Sequence, residues 1–323
     1  MNKLPILDSA LPLWLAAARA PFHENYYAMF SSAWNGIVTD PLLMSVPVDD
    51  HLVHRGDGVF ETLKCVSGKI YLCREHIARL FASAGKVGLK PAWSQDEIIE
   101  IVRQTVRAGA RRDCLVRILL SRGRGSFGVS PYDCPKPGLY VIAHKLSPPF
   151  MDAHPEGAKC RTSAIPVKPD FFATSKTCNY LPNALMKKEA VDAGVDFTIS
   201  FDERGKVAEG ATENIGILTK QRELLVPKGD RILLGTTMLR VMDLAKENLL
   251  GPTLDLVDHA SIGRRHIASA AEAFIFGTTP DVTAVIEFDG RKIGDGKPGP
   301  VWRILSGLLR RDIFEGEDHH IEI

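Results

Sequence analysis

No CxxC pair occurs among the six cysteines, which stand at 65, 73, 114, 134, 160 and 178. Without paired spacing there is neither a disulfide framework nor a zinc site to read. Single scattered cysteines suggest free thiols in a reducing compartment, and no metal is expected. No run approaches the roughly 18 apolar residues needed to span a bilayer. Charge of neither sign dominates: Lys+Arg 40 against Asp+Glu 39 leaves a formal +1. With no basic block and no acidic tail, a nucleic-acid or membrane-surface partner has no compositional support. Internal repeats and low-complexity tracts are also missing. What remains is 323 residues with 45% hydrophobic content, enough for one large or two ordinary packed domains.

Leu11 to Ala20 (LPLWLAAARA) is a short apolar stretch with a superficial likeness to a signal peptide. Asp8 just before it, Lys3 as the only nearby cation and Arg19 within its small-residue end all oppose secretion. An amphipathic N-terminal helix packed on the protein body is expected instead, and a cytoplasmic location with it.

The hydrophobic pattern predicts strands at 33–38, 59–65 and 69–72, the last after a Ser67-Gly68 turn. Helices are predicted over 75–87, where Ile77, Leu80, Phe81, Ala84 and Val87 recur at helical spacing, and over 95–108. Strands at 115–121 and 138–143 complete the first half. The breaker-rich stretch 147–157 reads as a linker. Beyond it, strands are predicted at 197–201, 207–219, 273–277 and 283–288, the last closed by an Asp289-Gly290 hairpin. Helices are predicted at 182–193, 237–249 and 300–311, with His319-His320 in a loose terminus. Strands and helices interleave without strict alternation, so the expected class is α+β with mixed sheets. The expected organisation is a small N-terminal domain over 1–146, including an extension over 1–30, then the linker and a C-terminal domain over 158–323.

Five local features could carry chemistry. Lys176, in Ser175-Lys176-Thr177-Cys178-Asn179-Tyr180, lies between a strand-like segment and a helix start. A lysine amine is a nucleophile when burial or neighbouring cations lower its pKa; taken alone, Lys176 reads first as an ordinary solvated loop lysine. Glu209 sits among small residues in a strand-like setting, where a buried carboxylate would need a cationic partner, though it could equally be an exposed strand end. Gly235-Thr236-Thr237 opens a helix and Gly277-Thr278-Thr279 ends a strand. N–H groups at a helix start with threonine hydroxyls suit a phosphate dianion, although either triplet alone also reads as a cap or turn. Arg79 lies near the apolar face set by Ile77 and Leu80, which suits an anion ligand or a snorkelling side chain.

In order and spacing these features resemble the fold-type IV, or class IV, pyridoxal-phosphate aminotransferases. That group includes branched-chain aminotransferases, D-amino-acid transaminases and aminodeoxychorismate lyases. The resemblance runs from about residue 33 to 313, through HRGDGVFETLK (54–64), REHIARLFASAGKV (74–87), SKTCNYLPNALMKKEA (175–190), KVAEGATENIGIL (206–218), LLGTTMLRV (233–241) and FGTTPDVTAVIEFDG (276–290). It implies a small N-terminal α/β domain, a larger C-terminal α/β domain and pyridoxal 5'-phosphate between them. It also implies a homodimer in which loops of one subunit close the other's active site.

By that resemblance Lys176 would hold the cofactor as a Schiff base and carry the substrate proton, while Glu209 would pair with the pyridinium nitrogen. Arg79, Thr236, Thr237, Thr278 and Thr279 would hold the phosphate, Tyr180 would approach the phenolic oxygen, and Asn214 would support the site. Met238 stands where the phosphate loop usually has an arginine. Phe60, Phe127 and Val129 stand where bacillary D-amino-acid transaminases trap a carboxylate with tyrosine, arginine and histidine. Branched-chain enzymes often carry arginine at the place of Lys64. The Ser121–Gly128 loop resembles the Ser-Arg-Gly segment of aminodeoxychorismate lyases. The expected substrate contacts are therefore Phe60, Lys64, Arg122 and Arg124. The implied reaction moves an amino group from an amino acid or amine to a 2-oxo acid; elimination of pyruvate from aminodeoxychorismate is the alternative.

Overall fold

The computed structural model describes residues 19–316 and 318–323, so most of the expected N-terminal helix lies outside the described residues. The chain builds two sheets. The first contains β1 (Tyr26–Ser31), β2 (Gly36–Val38), β3 (Gly58–Val66), β4 (Lys69–Tyr71), β5 (Cys114–Ser121) and β6 (Gly138–His144), joined by the last strand, β15 (His320–Glu322). Its order is β15-β4-β3-β5-β6-β1-β2, antiparallel throughout. The second contains β7 (Ala158–Thr162), β8 (Phe197–Ile199), β9 (Asn214–Leu218), β10 (Glu223–Pro227), β11 (Leu256–Ala260), β12 (Glu272–Gly277) and β13 (Asp281–Phe288). Its order is β11-β10-β9-β12-β13-β7-β8, with β14 (Arg291–Lys292) folded onto β13. Parallel β10–β11, β13–β7 and β7–β8 pairs among antiparallel ones make this sheet mixed.

Helices α1 (Cys73–Lys86) and α2 (Gln95–Ala108) cover the first sheet. Ile77, Leu80 and Ala84 of α1 and Ile98 and Val102 of α2 are buried in one cluster with Val59, Leu63 and Ile118. Ser94 starts α2 with a capping box: its hydroxyl accepts from Glu97 N–H, and the Glu97 carboxylate accepts from Ser94 N–H. Helices α3 (Leu181–Asp192), α4 (Thr236–Leu249) and α5 (Pro300–Glu315) belong to the second half. Met238, Val241 and Ala245 of α4 pack with Leu305 and Leu309 of α5 against Phe274 and Phe276 of β12.

Both predicted tight turns form. Ser67 and Gly68 (φ 54 and 82) close β3 on β4, and Asp289 and Gly290 (φ 49 and 73) close β13 on β14. Several expectations are corrected. Of the strand predicted at 33–38 only Gly36–Val38 is extended, because Asn35 (φ 49) turns the chain back onto β1. Of the strand predicted at 207–219 only Asn214–Leu218 is regular, because the small-residue run around Gly210 loops round the cavity. His319-His320 is no loose end: His320, Ile321 and Glu322 pair with Tyr71, Ile70 and Lys69. Among the described residues no helix is long and apolar enough to cross a membrane.

Candidate active site

Residues from both sheets line one cavity of about 340 Å³. Strand β3 supplies its wall by simple alternation. Val59, Leu63 and Cys65 point into the core beneath α1, whereas Phe60 and Thr62 point the other way and line the cavity. The segment carrying Lys176 is laid along the start of this strand. Phe60 N–H donates to Lys176 O at 2.9 Å, Cys178 N–H donates to Gly58 O at 2.9 Å, and Lys176 N–H donates to Ser83 Oγ at 3.1 Å. The backbone of Lys176 is thus pinned on both sides while its side chain enters the cavity.

The amine lies 3.4 Å from Tyr180 Oη and 4.6 Å from the centre of the Phe60 ring. Burial pushes the Lys176 pKa down to about 8, with Arg79 pushing the same way and Glu61 opposing. About a tenth of the amine is then free at pH 7, far more than for an ordinary lysine. Capture of an aldehyde by the cofactor-free protein is therefore expected to speed up about tenfold per pH unit below 8 and level off above it. Following absorbance after aldehyde addition across the range checks this. Burial also raises the Tyr180 hydroxyl above its ordinary range, so the phenol keeps its proton.

Glu209 sits in the loop before β9. Lys168 Nζ lies 3.3 Å from one carboxylate oxygen, and Leu233 N–H donates to the other at 3.1 Å. Burial raises its pKa, and Lys168 is the chief opposing influence. Arg79 reaches across from α1: Nε and Nη2 donate to the two oxygens of Glu61, and Nη1 donates to Leu234 O at 2.8 Å. Thr236 and Thr237 open α4, and Thr278 and Thr279 form the turn after β12; all four line the cavity. Asn214 donates to Leu233 O and packs so tightly on Gly235 that a Cβ there would lie 2.0 Å from its Oδ1. Gly235→Ala is expected to displace the start of α4, at a cost of about 1–3 kcal/mol in anion binding. Phosphate or cofactor affinity of the variant, measured by calorimetry, checks this.

Lys176, Arg79, Tyr180, Glu209, Thr236, Thr237, Thr278, Thr279 and Phe60 are thus gathered around one cavity. Three expected substrate contacts are not brought to it. Lys64 follows Thr62 on the same face of β3, but a strand rise of ~3.4 Å per residue carries it further along. It enters a neighbouring cavity of about 280 Å³ and pairs there with Asp281. Arg122 forks onto Asp57 with two contacts of 3.0 Å and donates to Val87 O and Gly88 O, closing the end of α1. Arg124 pairs with Asp49 on the surface. Nearby carboxylates claim both guanidinium groups. Phe127 and Val129 are exposed on the same loop.

Sequence reasoning missed Arg117, Lys168, Glu61 and His76. Arg117 faces the cavity from β5, opposite Thr62, with its guanidinium carbon 5.9 Å from the Phe60 ring centre. An arginine inside the apolar strand Cys114–Ser121 was the available signal. Lys168 lies between Val167 and Pro169, where nothing local sets it apart.

The family model for amino-transferase class IV matches residues 58–288. The chain belongs to the class IV aminotransferases. It is 36% identical over 294 residues to the "D-amino-acid transaminase, chloroplastic" of Arabidopsis thaliana, covering 91% of this chain and 78% of that protein. It is 33% identical over 274 residues to a putative branched-chain-amino-acid aminotransferase of Methanocaldococcus jannaschii, covering 84% of this chain and 92% of that one. A solved branched-chain amino acid aminotransferase (from T.th.), complexed with N-(5'-phosphopyridoxyl)-L-glutamate, superposes with a TM-score of 0.82 at 27% identity, covering 92% of this chain and 98% of that one. The α+β, fold-type IV assignment made from the sequence stands. So do the assignments as an enzyme of amino transfer and as a member of a pyridoxal-phosphate family.

The cavity fits that cofactor on its own terms. It holds one amine of lowered pKa, one buried carboxylate, and an anion cradle made of Arg79, a helix N-terminus and two threonine pairs.

Proposed function

We propose that this class IV aminotransferase moves an amino group from an amino acid to a 2-oxo acid in two half-reactions, with Lys176 as the residue that attaches pyridoxal 5'-phosphate. The observation that carries this reading is the Lys176 amine, half-buried, lowered to about 8 and backed by Tyr180 and Phe60 inside the cavity. When bound, the cofactor supplies the electron sink. Glu209 would hold a proton at the ring nitrogen. Arg79, Thr237 and the Thr278–Thr279 turn would hold the phosphate. With the cofactor bound, Lys176 Nζ would take the proton from the donor Cα and would give one to the Cα of the acceptor in the return half-reaction. Tyr180 Oη, 3.4 Å away and protonated, orients that amine.

Arg117 is the substrate's carboxylate anchor in this reading. Among the described residues no carboxylate pairs with it, and it faces the cavity beside Phe60. Arg117→Met is expected to raise the KM for carboxylate substrates about 10–100-fold, the scale of a charged hydrogen bond, with a smaller change in kcat. Steady-state kinetics on paired donors with and without a carboxylate test this.

A homodimer in the cytoplasm belongs to the same proposal. All six cysteines are free thiols, which suits a reducing compartment. Phe127, Val129 and Tyr132, exposed on one loop, suit burial against a second copy. Assaying amino donors with several 2-oxo acids, alongside aminodeoxychorismate, separates transfer from elimination. Pyruvate released from aminodeoxychorismate with no amino transfer would overturn the transfer reading.

A further inference from the structure

Behind the cavity wall that carries Arg79 lies a hydrogen-bonded chain that the proposed reaction does not use. Glu61 of β3 is fully buried, and His76 of α1 is 2% exposed. Glu61 Oε1 accepts from Arg79 Nε at 2.7 Å; Oε2 accepts from Arg79 Nη2 at 2.8 Å and faces His76 Nδ1 at 2.7 Å. The other ring nitrogen of His76 lies 3.1 Å from Thr236 Oγ. The chain therefore ties the first sheet and its helix α1 to the first residue of α4, at the end of the cavity that suits an anion.

The direction of each hydrogen bond follows from the charges. Burial alone would raise the Glu61 carboxyl, but the Arg79 guanidinium beside it, with hydrogen bonds from Arg79 and His76, holds it well below its ordinary value. Glu61 is thus a carboxylate and only accepts. His76 Nδ1 must then carry the hydrogen. Burial pushes the His76 pKa below its ordinary value, so the ring is neutral and Nε2 is bare. Thr236 donates its single hydroxyl hydrogen to that nitrogen, away from the cavity. Thr237, its neighbour, is buried and lines the cavity, and its hydroxyl has no partner among the described residues.

We propose that Glu61 and His76 are positioning residues that divide the labour of the Thr236–Thr237 pair. The Thr236 hydroxyl locks α4 to α1 through His76. The Thr237 hydroxyl and the helix N–H groups are left for a phosphate dianion, and Glu61, by taking Nε and Nη2, fixes the Arg79 guanidinium in the cavity wall. The inference rests on the class IV cofactor reading and refines it: Thr236 acts through its backbone, and its hydroxyl is committed to the fold.

The test compares binding of pyridoxal 5'-phosphate with binding of pyridoxal, which lacks the phosphate, to cofactor-free full-length protein, together with the phosphorus resonance of the bound cofactor. His76→Phe is expected to weaken the phosphate ester about tenfold while leaving pyridoxal affinity unchanged, and His76→Gln, which can still accept from Thr236, is expected to recover most of the loss. Thr237→Val is expected to move the phosphorus resonance further than Thr236→Val, which loses only the lock and is expected to weaken the phosphate ester about as much as His76→Phe. Should His76→Phe fail to fold, Thr236→Val and His76→Gln still carry the comparison. A resonance moved by Thr236→Val but not by Thr237→Val overturns the proposal. Equal loss of pyridoxal and its phosphate in the His76 variants also overturns it. Wild-type protein that binds neither compound overturns this inference and the cofactor reading together; wild-type binding with unaffected variants overturns this inference alone.

Discussion

Lys176→Ala is expected to abolish amino transfer, lowering kcat/KM by at least about 10⁴-fold, the upper range for removal of a positioned proton-transfer group. The variant removes the proposed covalent attachment point and the proposed proton carrier at once. No other amine among the residues lining the cavity can take its place. Lys168, the nearest alternative, is held by Glu209 at 3.3 Å. The fold should survive, because the backbone of residue 176 supplies the contacts to Phe60 and Ser83 and an alanine retains them. Borohydride reduction of the wild type in the presence of cofactor, followed by peptide mapping, should label Lys176 and leave the variant unlabelled. Label on another lysine, or a variant with kinetics within tenfold of wild type, would remove Lys176 from its role.

Glu209→Gln should produce the second-largest loss, on the order of 10²-fold in kcat with KM little changed, as expected for one pre-organised charge in a closed site. The substitution conserves shape and can still accept from Leu233 N–H. What it removes is the negative charge. Burial already disfavours that charge and Lys168 opposes the effect of burial; in the proposed loaded enzyme a cationic ring nitrogen would do so too. Two readouts separate this from a structural effect. The bound-cofactor absorbance should change its pH dependence, and Lys168→Met should cause a smaller loss in the same direction. An unchanged kcat in the Glu209→Gln variant would show that the ring nitrogen needs no anionic partner here.

Elements with strong local signals were legible in the chain itself. Helices α1 and α2 follow from apolar spacing, and both φ-positive hairpin turns follow from Ser67-Gly68 and Asp289-Gly290. Elements that depend on a distant partner were not. Strand β15 exists because β4 presents an open edge to it, and nothing in His319–Glu322 itself demands extension. Strand β1, with four of its six residues buried, was overlooked within an apparent terminal extension. The loop 207–213 reads as strand because its small residues run straight on into β9, yet it bends around the cavity.

Residues with a recognisable motif, Lys176, Glu209 and the two Gly-Thr-Thr runs, were assigned from the sequence and the cavity gathers them. Their motifs encode local backbone shape, which travels with the sequence. The sequence by itself determined the family, the cofactor it implies and the α+β content of the chain. Only the tertiary structure decided which charges remain available. Arg122, Arg124 and Lys64 are cancelled by Asp57, Asp49 and Asp281, whereas Arg117 faces the cavity unpaired among the described residues. The physical reason is that an ion pair depends on distances of a few ångströms between residues far apart in the chain. Lys64 and Asp281 are separated by 217 positions, and their meeting is a property of the packed sheets alone.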